Sequence, residues 1–154
     1  MATSTVLYGK PRIDWTAAAA GEVYYLKLTG PSSDVDLRLA NLVWASPDGS
    51  EAIVHGTDGP DDFQATDVGS HTAAINSVEY HFSGLRLLQF FGGQGEDRAT
   101  VTCTRGGEDA VVHAHSAVVV GADYTIELDE VDAVTLVAAG QDSQVRLHDS
   151  PGES

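Results

Sequence analysis

The residues with the clearest potential for chemistry are His113 and His115, which are separated by a single alanine. They lie in the run Ala110–Val120, whose alternating residue types predict a strand. Successive side chains of a strand point to opposite faces, so both imidazoles are expected on one face. Imidazole nitrogens in such an arrangement can hold Zn²⁺ or another transition metal. His148 would supply a third nitrogen if the fold brought it close.

The spacing around this pair resembles the first sequence motif of the cupin family: Gly107, five residues, His113, one residue and then His115. The resemblance implies a metal-binding barrel in which a glutamate follows the second histidine after three or four residues. Here those positions hold Val119 and Val120, which cannot bind a metal ion. We therefore predict no metal site and no cofactor. His113 and His115 are expected on an exposed or subunit-facing side of the strand.

Two other features could also carry chemistry. Thr57–Asp62 contains three aspartates and is followed by Asp67, and oxygen ligands of this kind suit Ca²⁺. The spacing and closing glutamate of the helix-loop-helix calcium motif are missing, so a solvated acidic loop is expected.

Cys103 alternates with Val101 in a predicted strand, which favours a buried structural thiol over a nucleophile. Serine-hydrolase and phosphate-loop signatures are absent from the sequence, and we predict no catalytic residues and no enzymatic activity.

The charge of the chain excludes further classes. Asp and Glu number 23 against 8 Lys and Arg, which gives a formal charge of −15 and a pI near 4.4. Such a charge repels phosphate backbones, so nucleic-acid binding is not expected. At molar salt the Debye length falls to about 3 Å and the repulsion is screened, which favours a halophilic source over an ordinary acidic protein.

The longest apolar run, Ala117–Val120, is far shorter than the roughly 20 residues of a membrane helix. No signal peptide is recognisable at the amino terminus.

The dominant period in the sequence is two. The segment Glu22–Thr29, for example, places Tyr24, Leu26 and Leu28 on one face, and turn-forming residues separate the successive runs. Besides Ala110–Val120, the further predicted strands are Glu51–His55, Ser77–Phe82, Leu85–Phe91, Ala99–Thr104, Asp123–Leu128, Ala133–Ala138 and Gln144–His148. Helical patterns are too short to build a layer, and parallel strands need long crossovers, so mainly antiparallel pairing is predicted. The expected fold is an all-β, antiparallel β-sandwich, most readily a single jelly roll of about eight to eleven strands. An immunoglobulin-like sandwich is the runner-up.

A chain of 154 residues suits one domain with its own core. We expect residues 1–15 to form an amino-terminal arm or edge segment, residues 16–149 the single β-sandwich domain, and residues 150–154 a flexible tail. Tyr8 and Trp15 lie in the arm, where exposed aromatic rings suit an interface. Together with His113 and His115, they are the predicted interface residues.

The size, the density of strands and the closing runs resemble those of small jelly-roll structural proteins of icosahedral viruses. The closing runs are Tyr124–Leu128, Val134–Ala138 and Gln144–Leu147. The composition is similar to that of proteins from halophilic archaea and their viruses. The resemblance implies a non-enzymatic virion protein: a capsid, vertex (penton) or decoration subunit, assembled in the host cytoplasm. Its expected partners are copies of itself, as pentamers or trimers, and other capsid proteins, without a small-molecule ligand.

Three alternatives remain open at the level of the sequence. A carbohydrate- or ligand-binding β-sandwich module would use exposed aromatic side chains as its platform. A phage-like tail-tube subunit would assemble as a ring. A cupin-like metalloprotein would need the ligand that Val119 and Val120 replace.

Overall fold

The computed structural model describes residues 2–7, 10–15, 42–67, 71–138 and 142–148. The chain divides into two compact units, Met1–Ala40 and Asn41–Ser154. The predicted strand Glu22–Thr29 and the predicted tail 150–154 lie outside the described residues. The predicted domain boundaries therefore stay predictions.

In the first unit, two strands form an antiparallel hairpin. They are β1 (Ala2–Leu7) and β2 (Lys10–Trp15). Their register places Ala2 opposite Trp15 and Leu7 opposite Lys10.

The second unit is built from strands alone in its described residues. No helix that could cross a membrane occurs in the described ranges. The twelve strands are β3 (Val43–Ala45), β4 (Glu51–His55), β5 (Asp62–Thr66), β6 (Thr72–Ile75), β7 (Val78–His81), β8 (Leu87–Phe91), β9 (Arg98–Cys103), β10 (Asp109–Val112), β11 (Ser116–Val120), β12 (Thr125–Asp129), β13 (Ala133–Ala138) and β14 (Gln144–Leu147).

These strands form two mixed sheets that pack face to face. The seven-stranded sheet has the order β14-β10-β11-β12-β8-β4-β3, and the five-stranded sheet has the order β13-β9-β5-β6-β7. Alternate residues of most of these strands fill the space between the sheets, as Ala52 and Val54 of β4 do. Phe63 and Phe90 come from different sheets and stack with ring centroids 4.2 Å apart. Burial of each ring contributes about 1.5–3 kcal/mol. The predicted all-β sandwich is confirmed.

The prediction of mainly antiparallel pairing needs a correction, because five of the eleven strand pairs among the described residues are parallel. In one sheet β4, β8 and β12 run parallel, and in the other β5, β9 and β13 do. Parallel neighbours need a long connection, and here that connection passes through the opposite sheet instead of through a helix. Three short arches, residues 56–61, 92–97 and 130–132, carry the chain from β4 to β5, from β8 to β9 and from β12 to β13.

This pairing also bears on the two predicted topologies. Jelly rolls and immunoglobulin-like sandwiches pair their strands antiparallel, so neither specific topology is confirmed. The number of strands exceeds the predicted range in part because the run Ala110–Val120 is two strands, β10 and β11, joined by a turn. β5 and β6 were not predicted as strands.

Candidate functional site

The three arches stack on one another at one end of the sandwich. The amide of Gly56 donates to the carbonyl of Phe91 at 2.7 Å, and the amide of Gly92 donates to the carbonyl of Asp129 at 3.0 Å. The first two arches lie so close that a Cβ on Gly56 would meet the Gly92 carbonyl oxygen at 2.0 Å. Glycine is required at residue 56 for this reason, since any side chain would force the arches apart.

One aspartate from each arch joins the stack. The amide of Asp61 donates to Oδ1 of Asp97 at 2.8 Å, and the amide of Asp97 donates to Oδ2 of Asp132 at 2.8 Å. We call these three residues the aspartate ladder. Asp61 and Asp97 are buried, whereas Asp132 at the end of the stack has about half of its side chain exposed.

The two buried carboxylates differ in how well they are satisfied. Asp61 accepts hydrogen bonds from the amide of Thr57 and from Nδ2 of Asn76. Asp97 has no exposed surface, and its Oδ2 has no hydrogen-bond partner among the described residues. Burial raises the pKa of Asp97 above its usual value, and the nearby charges of Asp61 and Asp132 raise it further, against the hydrogen bond from the Asp61 amide.

The sequence drew attention to this loop as an acidic cluster, but its residues do not gather as expected. Asp61 and Asp67 lie at opposite ends of β5, which at five residues is roughly 17 Å long. In the described parts of the chain, no group of three or more His, Cys, Asp or Glu side chains is placed to hold a metal ion. The carboxylates of Asp97 and Asp132 instead accept hydrogen bonds from the amides of Asp61 and Asp97, which connect neighbouring arches, and that of Asp61 accepts from the Thr57 amide within its own arch.

The aspartate ladder has a signal in the sequence that short motifs do not contain. Gly56 and Gly92 each follow a strand directly, and each precedes an aspartate by five residues. The two glycine–aspartate pairs are 36 residues apart, which is the spacing between the first two arches. A search for internal repeats at this spacing would have paired Asp61 with Asp97.

A second group of buried polar residues lies at the other end of β5. Oδ1 of Asp67 accepts hydrogen bonds from the amide and hydroxyl of Thr104 at 2.8 and 2.6 Å. The Tyr124 hydroxyl donates to Oδ2 of Asp67 at 3.4 Å, and the His71 ring meets the Tyr124 ring edge-on at 5.1 Å. Burial lowers the pKa of His71, and the nearby charge of Arg105 lowers it further.

Cys103 belongs to the same region and is buried, as the sequence predicts. Burial raises the pKa of its thiol, and the charge of Glu108 acts in the same direction. A thiol must lose its proton to act as a nucleophile. Cys103 is part of the buried core, and the hydrogen bonds between Asp67 and Thr104 connect the ends of β5 and β9.

The two predicted interface histidines are not on a strand, which corrects the sequence prediction. His113, Ala114 and His115 form the turn between β10 and β11, which the amide of His113 closes by donating to the carbonyl of Ser116 at 2.8 Å. Because a turn does not alternate, the two imidazoles do not share a strand face. Both histidines are exposed, which agrees with the expectation of an exposed position.

The fold gives each histidine a different neighbour. The ring of His113 stacks on that of His148 with centroids 4.9 Å apart, so His148 is brought close as a stacked ring. Nδ1 of His115 lies 3.8 Å from Oδ1 of Asp132, the exposed end of the aspartate ladder. Of the other predicted interface residues, Tyr8 lies outside the described residues, and for Trp15 only its place at the end of β2 is described.

The described surface also carries apolar side chains that the sequence did not single out. Trp44 is 46% exposed on β3, the last strand of the seven-stranded sheet. Val145 and Leu147 on β14, at the opposite edge of that sheet, are 52% and 79% exposed. Val137 on the edge strand β13 is 44% exposed.

Comparison with known proteins adds no assignment: no family model, curated protein or solved structure matches this chain.

Proposed function

We propose that this protein is a non-enzymatic structural subunit of a virion, at a capsid, vertex or decoration position, that assembles symmetrically with copies of itself in high salt. The observation that carries the proposal is the exposed apolar surface of the two edge strands β13 and β14. Exposed apolar side chains grouped on one part of a protein mark surfaces that associate with other molecules. Val145 and Leu147 form such a group on β14, and Val137 is a further exposed valine on the edge strand β13, in a chain of strongly acidic composition.

The use of the buried polar groups supports a structural role. The hydrogen bonds of Asp61, Asp97 and Asp67 connect neighbouring arches and strands of the sandwich. Burial raises the pKa of the Cys103 thiol and lowers the pKa of His71, so in both groups it disfavours the charged form. The protein thus acts through its surfaces.

Charge determines the conditions under which copies associate. Two copies that each carry −15 repel one another in dilute buffer. At about 1 M salt this repulsion is confined to roughly 3 Å, so apolar edges can meet. Closed symmetric rings are the common outcome for identical subunits.

The test compares full-length protein with a variant that lacks residues 2–15, using light scattering and circular dichroism in about 2 M NaCl, where screening is nearly complete. We expect the full chain to form a closed oligomer and the truncated chain to assemble more weakly while keeping its β-sheet spectrum. Removal of residues 150–154, at the other end of the chain, is the matched control and should leave assembly unchanged.

The outcomes separate the alternatives. A pentamer or trimer supports a shell position, and a hexameric ring supports a tail tube. A chain that stays monomeric at every salt and protein concentration, and joins no larger particle, contradicts the proposal. That result would favour the carbohydrate-binding module, for which the exposed indole of Trp44 is a suitable stacking platform.

A further inference from the structure

The outward face of the seven-stranded sheet is apolar across four of its strands. β8 has the sequence Leu-Leu-Gln-Phe-Phe and β11 has Ser-Ala-Val-Val-Val, so apolar residues stand at outward as well as inward positions. Strands that are apolar on both faces are typical of sheets that are covered on both sides. The large apolar side chains on the outward face are Trp44 on β3, Ile53 on β4, Leu87 and Phe91 on β8, and Val118 and Val120 on β11.

The outward face of the five-stranded sheet has the opposite character. Its strands β5, β6 and β9 carry polar side chains there: Gln64, Thr66, Thr72, Thr100 and Thr102. Hydroxyl and amide groups suit a sheet face that is in contact with water. The apolar face of the other sheet is open as well, since Trp44 is 46% and Val120 is 45% exposed. A cover for that face is therefore expected.

One row of side chains across the apolar face has a symmetric pattern. The strand registers join six residues into this row, in the order Trp44, Ile53, Gln89, Glu127, Val118 and Val111. From either end, the row has two apolar residues, then the polar pair, then two apolar residues. In the polar pair, Nε2 of Gln89 donates to Oε2 of Glu127 at 2.7 Å. The row is thus complementary to a reversed copy of itself.

A two-fold contact between identical chains requires this kind of complementarity, because residue i contacts residue j and j contacts i. A two-fold axis that runs along the strands between β8 and β12 lays Ile53 over Val118 of the second copy. The same axis lays Gln89 over Glu127 of the second copy. The second amide hydrogen of Gln89 then donates to that carboxylate, so the polar pairs stay hydrogen-bonded when water is excluded.

The size of the face also fits a second sheet. Six overlapping strands, each about 4.8 Å wide, with about five residues of 3.3 Å each, give a footprint of roughly 29 by 17 Å. Because side chains project from this footprint, two such faces bury about 1,000 Å² in total, which is the lower bound for a specific contact. A single extended segment would cover only about one or two of the six strands.

We propose that the outward face of the seven-stranded sheet binds the same face of a second copy of this chain, with the six-residue row of one copy reversed over that of the other. This inference rests on the proposed self-assembly and adds a contact distinct from the apolar edges β13 and β14. High salt favours the contact because each copy carries a formal charge of −15. Edge and face together give each copy more than one neighbour, as a large assembly requires.

A thiol placed in the row reports what covers it. Val118→Cys puts the thiol on the apolar face, and the matched control Thr100→Cys puts it on the polar outward face, where the natural residue is also partly buried. The native Cys103 does not compete because it is buried. In about 2 M NaCl we expect alkylation of Val118→Cys to slow by about tenfold over a roughly hundredfold rise in protein concentration, because only the unassociated fraction reacts. Alkylation of Thr100→Cys should keep a constant rate.

Each other outcome overturns a stated part of the proposal. Slow alkylation of Val118→Cys at every concentration would show that its own chain covers the face, and would overturn the second copy as the occupant. Equal slowing in both variants would overturn the choice of face. Fast alkylation of Val118→Cys in a protein that assembles by light scattering overturns this contact alone, whereas fast alkylation in a protein that stays monomeric overturns the assembly function with it.

The reversed order of the rows has its own test. Sheets packed face to face lie about 10 Å apart, so a thiol-to-thiol linker of about that length should join Ile53→Cys of one copy to Val118→Cys of another. Two copies of the same variant place their thiols three strand spacings apart sideways as well, at about 17 Å, which the linker does not span. In a mixture of the two variants we expect mixed dimers well beyond the statistical proportion, measured by mass spectrometry. A statistical mixture would overturn the reversed row.

Discussion

The two buried aspartates of the arches, Asp61 and Asp97, differ in the number of hydrogen-bond donors that their carboxylate oxygens have. Turn-rich acidic segments were expected to be solvated, yet Asp61 and Asp97 are buried because each receives or makes backbone hydrogen bonds between stacked arches. Asp61 has a donor for each of its two oxygens, from Asn76 and Thr57. Oδ2 of Asp97 has none among the described residues, so burying that oxygen as an anion costs stability.

This difference predicts opposite effects of the same substitution. Asp97→Asn keeps the oxygen that accepts from the Asp61 amide and removes a buried charge, so it should stabilise the fold at pH 7.5 by about 1 kcal/mol. Asp61→Asn places an amide donor against an existing donor and should destabilise it by about 1–3 kcal/mol. Urea unfolding followed by circular dichroism measures both changes. A loss of stability in Asp97→Asn as large as that in Asp61→Asn would contradict the account.

The effect of Asp97→Asn on stability depends on pH in a direction that the pKa of Asp97 predicts. The pKa of Asp97 is raised in the folded protein, so the folded state binds its proton more tightly than the unfolded state does. The stability associated with this group is therefore greatest below its ordinary pKa of 3.8 and is lost as the pH rises through the folded pKa. The advantage of Asp97→Asn over the natural protein should accordingly grow from pH 4 to pH 7.5.

At the scale of the elements, the stacked arches depend on close backbone approach. Gly56→Ala would place its Cβ 2.0 Å from the Gly92 carbonyl and 2.8 Å from Oδ2 of Asp61, so the first two arches would have to separate. We expect a loss of roughly 3 kcal/mol, typical of severe overpacking. Gly59→Ala, in the same arch, is the matched control because its Cβ would meet only Oγ1 of Thr57, at 4.0 Å. Thermal unfolding of both variants tests the stacking, and equal melting temperatures would refute it.

The observed strands show which parts of the fold the sequence could predict. The strands Glu51–His55 and Ala133–Ala138 were predicted with their observed bounds, because a clear period of two lies between turn-forming residues. β5 and β6 were missed, since Phe63 and Ile75 are their only large apolar residues beside small alanines. The turn at His113 and His115 was missed because apolar residues flank it on both sides.

The direction of pairing and the aspartate ladder required information that local patterns do not contain. A strand alternates in the same way whether its neighbours are parallel or antiparallel, so period two alone could not reveal the parallel stacks. The relation between Asp61 and Asp97 depends on residues 36 positions apart. It is a property of the repeat of the arches, which composition and short motifs cannot indicate.

At the scale of the whole molecule, an apolar core is combined with a strongly acidic composition. The core between the two sheets is apolar and close-packed, centred on residues such as Phe63, Phe90 and Ile126. The chain as a whole carries 23 acidic residues against 8 basic ones. In dilute buffer the repulsion among these acids opposes both the compact fold and the approach of a second copy.

We therefore expect the melting temperature to rise as NaCl increases from about 0.1 M to about 2 M, because screening weakens that repulsion. The control is a variant with three exposed acids neutralised, Glu51→Gln, Glu96→Gln and Asp109→Asn, which leaves the described core unchanged. It should melt higher than the natural chain at low salt and gain less from added salt, since less repulsion remains to be screened. Differential scanning calorimetry at low protein concentration separates this effect from assembly. A melting temperature that is flat or falls across the salt range would show that the excess of acids does not govern stability, and the case for a protein adapted to high salt would fail.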